Sequence, residues 1–144
     1  MQNFRLYEER DASRALPIPK DPAVAIDGGK LVTVDAAKLA IEADATATAV
    51  AYTQDGGPVG QDYINIIYDP KVLLVGTADA NFASTDLYLE VDIVISGSDQ
   101  LIDLGASTTD VLKVVPNTFD TGVNVVGQAE DVLVKINKHL LEVI

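Results

Sequence analysis

Few side chains of this chain belong to the usual catalytic kinds. His139 is the single histidine, and its setting in Lys138-His139-Leu140 reads as a strand surface rather than a general base, useful as imidazole is near neutral pH. Cysteine is absent, which removes disulfides, thiolate zinc sites and thiol nucleophiles together. Ser13, Ser84, Ser96, Ser98 and Ser107 all stand outside a G-x-S-x-G elbow and have no visible activator. Carboxylates are plentiful. Any two of Asp86, Glu90, Asp92, Asp99 and Asp103 could meet as a glycosidase pair, but with 22 acidic residues such meetings arise by chance. Asp79, Asn81 and Asp86 offer oxygens to calcium without the central glycine and final glutamate of an EF-hand loop. Asp27-Gly28-Gly29-Lys30 leads into the strand-like Leu31–Val34, not into the hydroxyl residue and helix of a phosphate loop, so it reads as a hairpin turn. The expectation is a protein that is not an enzyme, with no catalytic residue, no cofactor and no metal.

The elements that must carry these residues are mainly β. Apolar runs rich in Val, Ile and Leu recur between turn-forming residues. They predict strands at Lys30–Val34, Thr46–Thr53, Tyr63–Tyr68, Lys71–Val75, Leu89–Ile95, Leu101–Leu104, Val111–Val115 and Val132–Asn137, with His139–Val143 closing the chain. Asp55-Gly56-Gly57-Pro58, Asp69-Pro70 and Ser96-Gly97-Ser98 supply bends between them. Ala36–Ala43 and Asn81–Leu87 read as short helices. The spacing is that of a single small β-barrel or β-sandwich domain with at most short helices. Val132, Val134 and Ile136 alternate with Leu133, Lys135 and Asn137, which predicts a last long strand that is partly exposed and able to meet a neighbour through its edge.

With 144 residues there is room for one domain, burying roughly 70% of the surface its unfolded chain exposes. Charge divides it unevenly. Residues 1–20 carry Arg5, Arg10, Arg14 and Lys20 against Glu8, Glu9 and Asp11, a balance of +1, whereas the remaining residues carry −13, which together make the net charge of −12. An acidic body repels phosphate backbones and anionic lipid, so no nucleic acid and no membrane is expected as partner. The charged start MQNFRLYEERDASR has no signal-like apolar run, and nowhere do about 18 apolar residues follow one another. Pro17, Pro19 and Pro22 each remove an amide donor and favour extended geometry. Residues 1–22 therefore read as an extended N-terminal arm unable to join a central strand, and residues 23–144 as the β-rich domain. Phe4, Leu6, Tyr7, Leu16 and Ile18 are its candidate apolar anchors, and Arg5, Arg10 and Arg14 are free to pair with acidic groups of a partner.

Three stretches, Gly76–Phe82 (GTADANF), Ile102–Val115 (IDLGASTTDVLKVV) and Asp131–Asn137 (DVLVKIN), together resemble the capsid decoration, or cement, proteins of tailed bacteriophages, over roughly residues 50–138. The resemblance implies a structural virion protein on the outer capsid surface, made in the host cytoplasm. It would bridge major capsid proteins and meet its own copies as a dimer or trimer. In such proteins an N-terminal arm commonly contacts the shell, a role that Phe4, Arg5, Leu6, Tyr7, Arg10, Arg14, Leu16 and Ile18 would fill by position. Two alternatives belong to other classes. One is a carbohydrate- or ligand-binding β module, for which five Tyr, three Phe and no Trp make a thin stacking platform. The other is a phage tail or connector subunit.

Overall fold

The computed structural model describes residues 3–117 and 121–143. The chain is mainly β, with three sheets and no closed barrel. The largest sheet is six-stranded and antiparallel, in the order β1 (Phe4–Leu6), β7 (Leu73–Gly76), β11 (Val132–Ile136), β10 (Leu112–Val114), β8 (Glu90–Ser96), β9 (Asp99–Asp103). Period-2 alternation turns Phe4, Leu6, Leu74, Val91, Ile93, Ile102, Leu112, Val114, Val132 and Val134 to one face, where they form the main core. The sheet curls until Ile102 meets Ala78, just past β7, but this is a single parallel bridge rather than a ladder.

A three-stranded sheet, β4 (Ala40–Glu42), β3 (Lys30–Val34), β5 (Ala51–Thr53), forms a middle layer. Leu31 and Tyr52 are directly opposed and enter the main core. Val32 and Ala51, opposed one step along, enter a second core with Ile64 and Ile66. Burial on both faces explains why Leu31 and Val32 are consecutive apolar residues. The outer layer is a two-stranded ribbon of β2 (Ala15–Pro19) and β6 (Tyr63–Ile67). A helical turn, α1 (Leu140–Val143), closes the described chain, and no helix among the described residues is long and apolar enough to cross a membrane.

Several sequence expectations need correction. Residues 3–22 are not a separate arm: β1 joins the main sheet and β2 the ribbon, while residues 1 and 2 lie outside the described residues. Proline does confine β2 to a ribbon edge, but the short β1, free of proline, pairs along β7. Ala36–Ala43 is a turn closed by Asp35 followed by β4, because the Asp35 carboxylate accepts the Ala37 and Leu39 N–H groups (2.9 and 3.1 Å) and favours the turn over a helix. Asn81–Leu87 contains only a three-residue 3₁₀ turn at Ser84–Asp86. His139–Val143 is helical rather than extended from Leu140 on. β11 is no edge: it lies between β7 and β10, and Leu133, on the face opposite the main core, packs with Val75 and Val123.

Phe4 lies across Gly76, its cross-strand partner. A Cβ at Gly76 would stand 2.5 Å from Phe4 Cε1 and 3.2 Å from Ile102 Cδ1, so only glycine lets the ring lie flat on the sheet. Phe4 is also tied by its N–H to the Gly29 carbonyl (2.8 Å) and by its carbonyl to the Tyr52 hydroxyl (3.3 Å). Gly76→Ala is expected to destabilise by about 1–3 kcal/mol through overpacking, and Phe4→Ala by about 3–5 kcal/mol through the cavity left behind. Urea denaturation of both variants checks this. A Phe4→Ala variant as stable as the parent would mean that β1 is dispensable.

Candidate functional site

The eight residues assigned to the arm do not form one surface. Phe4 and Leu6 are buried in the main core. Tyr7 is half-buried, packs on the Val75–Val123–Leu133 cluster and donates its hydroxyl proton to Asn117 Oδ1 (3.0 Å). The guanidinium groups are already engaged: Arg5 with Asp131 (3.5 Å), Arg10 with Glu8 (2.5 Å), and Arg14 with Asp69 and, at 4.0 Å, Asp11. Ile18 leans on the second core, and Leu16 alone of the apolar set is largely exposed. The capsid-binding arm as assembled from sequence is therefore corrected. Its anchors serve the fold, because burying Phe4 and Leu6 gains more than leaving them in water for a partner.

His139 is also corrected, from surface to fully buried. Its Nε2 lies 3.1 Å from the Ile67 carbonyl and its Nδ1 accepts the Leu141 N–H at 3.1 Å, an arrangement that fits the Nε2–H tautomer. The ring ties the C-terminal turn to the end of β6.

The carboxylates on the outer face of β8 and β9 organise loops. Asp92, buried in β8, accepts N–H bonds from Thr108, Thr109 and Asp110 at 2.8–3.1 Å. Burial works to raise its pKa, but those three amides outweigh it and hold the carboxyl below the ordinary range. Asp103, opposite Asp92 in the ladder, is raised instead, first by burial and then by the adjacent Asp79 carboxyl, with which it shares a hydrogen bond. Asp79 Oδ1 in turn accepts the Leu104 N–H (3.1 Å), and Asp86 accepts the Ala83 N–H (2.8 Å). No group of three or more acidic or histidine side chains that could hold a metal occurs among the described residues.

Two exposed surfaces among the described residues take no part in these internal roles. The first is the outer face of the β2–β6 ribbon, where Ala15, Pro17, Pro19, Tyr63 and Asn65 are all exposed and none is charged. Lys20 N–H donates to the Asp62 carbonyl and Tyr68 N–H to the Arg14 carbonyl. By the alternation of an antiparallel pair, Leu16 and Ile18 thus direct their amides at β6, and Pro17 and Pro19 occupy the outward positions where a free N–H would stand. The edge cannot act as a regular template for another strand, which leaves the face as the contact surface.

The second surface surrounds Tyr88. Tyr88 N–H donates to the Val114 carbonyl (2.8 Å) and Val114 N–H to the Leu89 carbonyl (2.9 Å), so two residues oppose one in a bulge. Tyr88 has φ 69° and is 64% exposed. A bulky residue in this left-handed region costs about 1–3 kcal/mol of backbone strain where glycine would cost none. Beside it lies a hollow of about 410 Å³, bordered by Leu89, Glu90 and the Leu104–Ser107 loop that Asp92 helps to hold. Sequence reasoning missed Tyr63, Asn65 and Tyr88. Alternation in Tyr63–Ile67 could have found the first two, whereas nothing local signals a bulge at Tyr88.

The carboxylates give a pH prediction with two signs. Asp92, depressed in the folded state, contributes stability above its unfolded value of about 3.9 that is lost as pH falls through its folded value. Asp103, raised when folded, favours the fold while protonated, and that contribution is lost as pH rises through its folded value. At pH 7, Asp103→Asn should stabilise by about 1 kcal/mol or less, the gain vanishing in acid, while Asp92→Asn should cost about 1.5–3 kcal/mol. Thermal melts from pH 3 to 8 decide it, and a destabilised Asp103→Asn at pH 7 would refute the view that burial and the Asp79 carboxyl disfavour the charged Asp103. Comparison with protein-family models, with curated proteins and with solved structures finds no match to this chain.

Proposed function

We propose that the chain is a structural virion protein that binds the outer surface of a tailed-phage capsid and stabilises it as a decoration subunit. The resemblance of Gly76–Phe82, Ile102–Val115 and Asp131–Asn137 to that family motivates the reading, and the uncharged ribbon face carries it. A chain with a net charge of −12 that keeps Ala15, Pro17, Pro19, Tyr63 and Asn65 free of charge reserves a surface that can be dried without desolvating carboxylates. A ribbon with prolines at its edge is rigid, so little conformational entropy is lost on docking. Repeated over a lattice of capsid subunits, many such modest contacts act together on the shell. The acidic remainder keeps the free subunit soluble before assembly.

Because Arg5, Arg10 and Arg14 are neutralised within the chain, the contact is governed by shape and apolar burial. Sedimentation with expanded heads of the phage that encodes the chain should therefore show binding that changes by less than about threefold when salt rises through the range that collapses charge-driven association. Tyr63→Asp should weaken it by about tenfold or more, with an unchanged circular dichroism spectrum. Decorated heads should also survive higher temperature. Failure to sediment with such heads, or their unchanged heat resistance, would overturn the proposal.

A further inference from the structure

We propose that the hollow beside Tyr88 is a binding site for a short neutral or amino-bearing oligosaccharide, a ligand class distinct from the protein lattice proposed for the ribbon. Three observations converge. Tyr88 stands on a bulge with φ 69°, a backbone conformation that favours glycine, and at 64% exposure most of the residue lies outside the core. Such an outlier, paid for elsewhere, is typical of ligand contacts. The adjoining hollow of about 410 Å³ falls in the range of small-molecule sites, about 300–1,000 Å³. Its border then mixes the chemistry a pyranose needs. The Tyr88 ring offers a flat face for sugar C–H groups, and Leu89, 42% exposed, extends it. Glu90 is exposed, and its carboxylate makes no hydrogen bond or ion pair among the described residues, even with Lys113 directly opposite on β10. It is therefore free to accept two sugar hydroxyls.

The far wall supplies Ser107. Its Oγ donates to Asp110 Oδ1 (2.6 Å), which leaves its lone pairs aimed elsewhere as acceptors. Gly105, beside it, keeps the wall low. The loop carrying both is held by the Asp92 carboxylate on the next three amides, so the wall is pre-formed rather than assembled on binding. Acceptors dominate: a ligand rich in hydroxyl or ammonium donors fits, whereas uronic or sialic acids meet Glu90 and a net charge of −12 and are excluded. The other hollows are less suited. The one between Glu8 and Lys71 is crossed by the Arg14–Asp69 pair, and the one between Thr33 and Leu140 has no aromatic side chain.

The test is a printed array of neutral, amino and acidic oligosaccharides, followed by titration of the ¹⁵N-labelled chain with the best neutral or amino hit. Binding with shifts centred on residues 88–90 and 104–107 is expected, together with no acidic hit. Tyr88→Gly should lose at least about tenfold in affinity with an equal or higher melting temperature, because the strain is relieved. Tyr88→Phe should stay within about threefold of the parent. Glu90→Gln, at an exposed position, should weaken binding without touching the fold. An array without neutral or amino hits, shifts centred elsewhere, or Tyr88→Gly and Glu90→Gln both binding as the parent does would overturn the assignment. None of these outcomes depends on binding to capsids.

Discussion

Strands of three to seven residues leave many backbone amides and carbonyls inside the protein without a ladder partner, and the fold depends on side chains that satisfy them. Gln100 is the clearest instance. Wholly buried, it accepts the Leu31 N–H (2.7 Å) and donates to the Leu31 and Ala43 carbonyls (2.9 Å each), and its own N–H is capped by Asn3. One amide thereby sews β9 to the middle sheet. Asn124 does the same between Val115 and Leu133, and Asn137 reaches the Asp110 carbonyl. Buried Lys20 bonds the Asp21 and Val24 carbonyls, and buried Lys30 the Ser98 carbonyl and Glu42. Each bond contributes only about 0.5–1.5 kcal/mol net, but leaving a buried group unmet costs about 1–3 kcal/mol. Polar side chains are thus as much a part of this interior as the valines.

That constraint also distributes charge over the surface. Arginines of the first 14 residues lie against carboxylates brought to them by the fold or by the adjacent chain, and Asp92 and Asp79 accept loop amides. What is left outward on the ribbon is proline, alanine, tyrosine and asparagine. What is left at the Tyr88 bulge is an aromatic ring, one unengaged carboxylate and a loop wall. Both surfaces sit on rigid supports, one a proline-edged ribbon and the other a bulged strand facing a clamped loop. Rigidity of this kind favours recognition by shape, since little entropy is lost when a partner arrives.

Much of the fold was legible before the tertiary structure. Lys30–Val34 is a strand with those bounds, Tyr63–Tyr68 and Val132–Asn137 exceed the observed β6 and β11 by one residue at the C-terminal end, and Leu89–Ile95 is displaced from β8 by one residue at each end. These runs are β-branched and end in turn residues, so local chemistry suffices. Illegible were the pairing of β1 with β7, the central place of β11 and the burial of His139. Each depends on a partner distant in sequence: Gly76 for Phe4, Val114 and Leu74 for Val134, and Ile67 for His139. The site residues suffered most, because an exposed anchor and a core residue have the same composition.

From sequence alone came the β class, the turns, the acidity and the absence of thiol chemistry, since each follows from residue type and short-range pattern. Which apolar residues are interior, which arginines are neutralised, where proline guards an edge and where tyrosine is held in a glycine conformation were decided only by the tertiary structure. The physical reason is that burial and hydrogen-bond satisfaction are properties of neighbours brought together across the chain: Thr108 stands 16 positions from Asp92, Val114 26 from Tyr88 and Gly76 72 from Phe4.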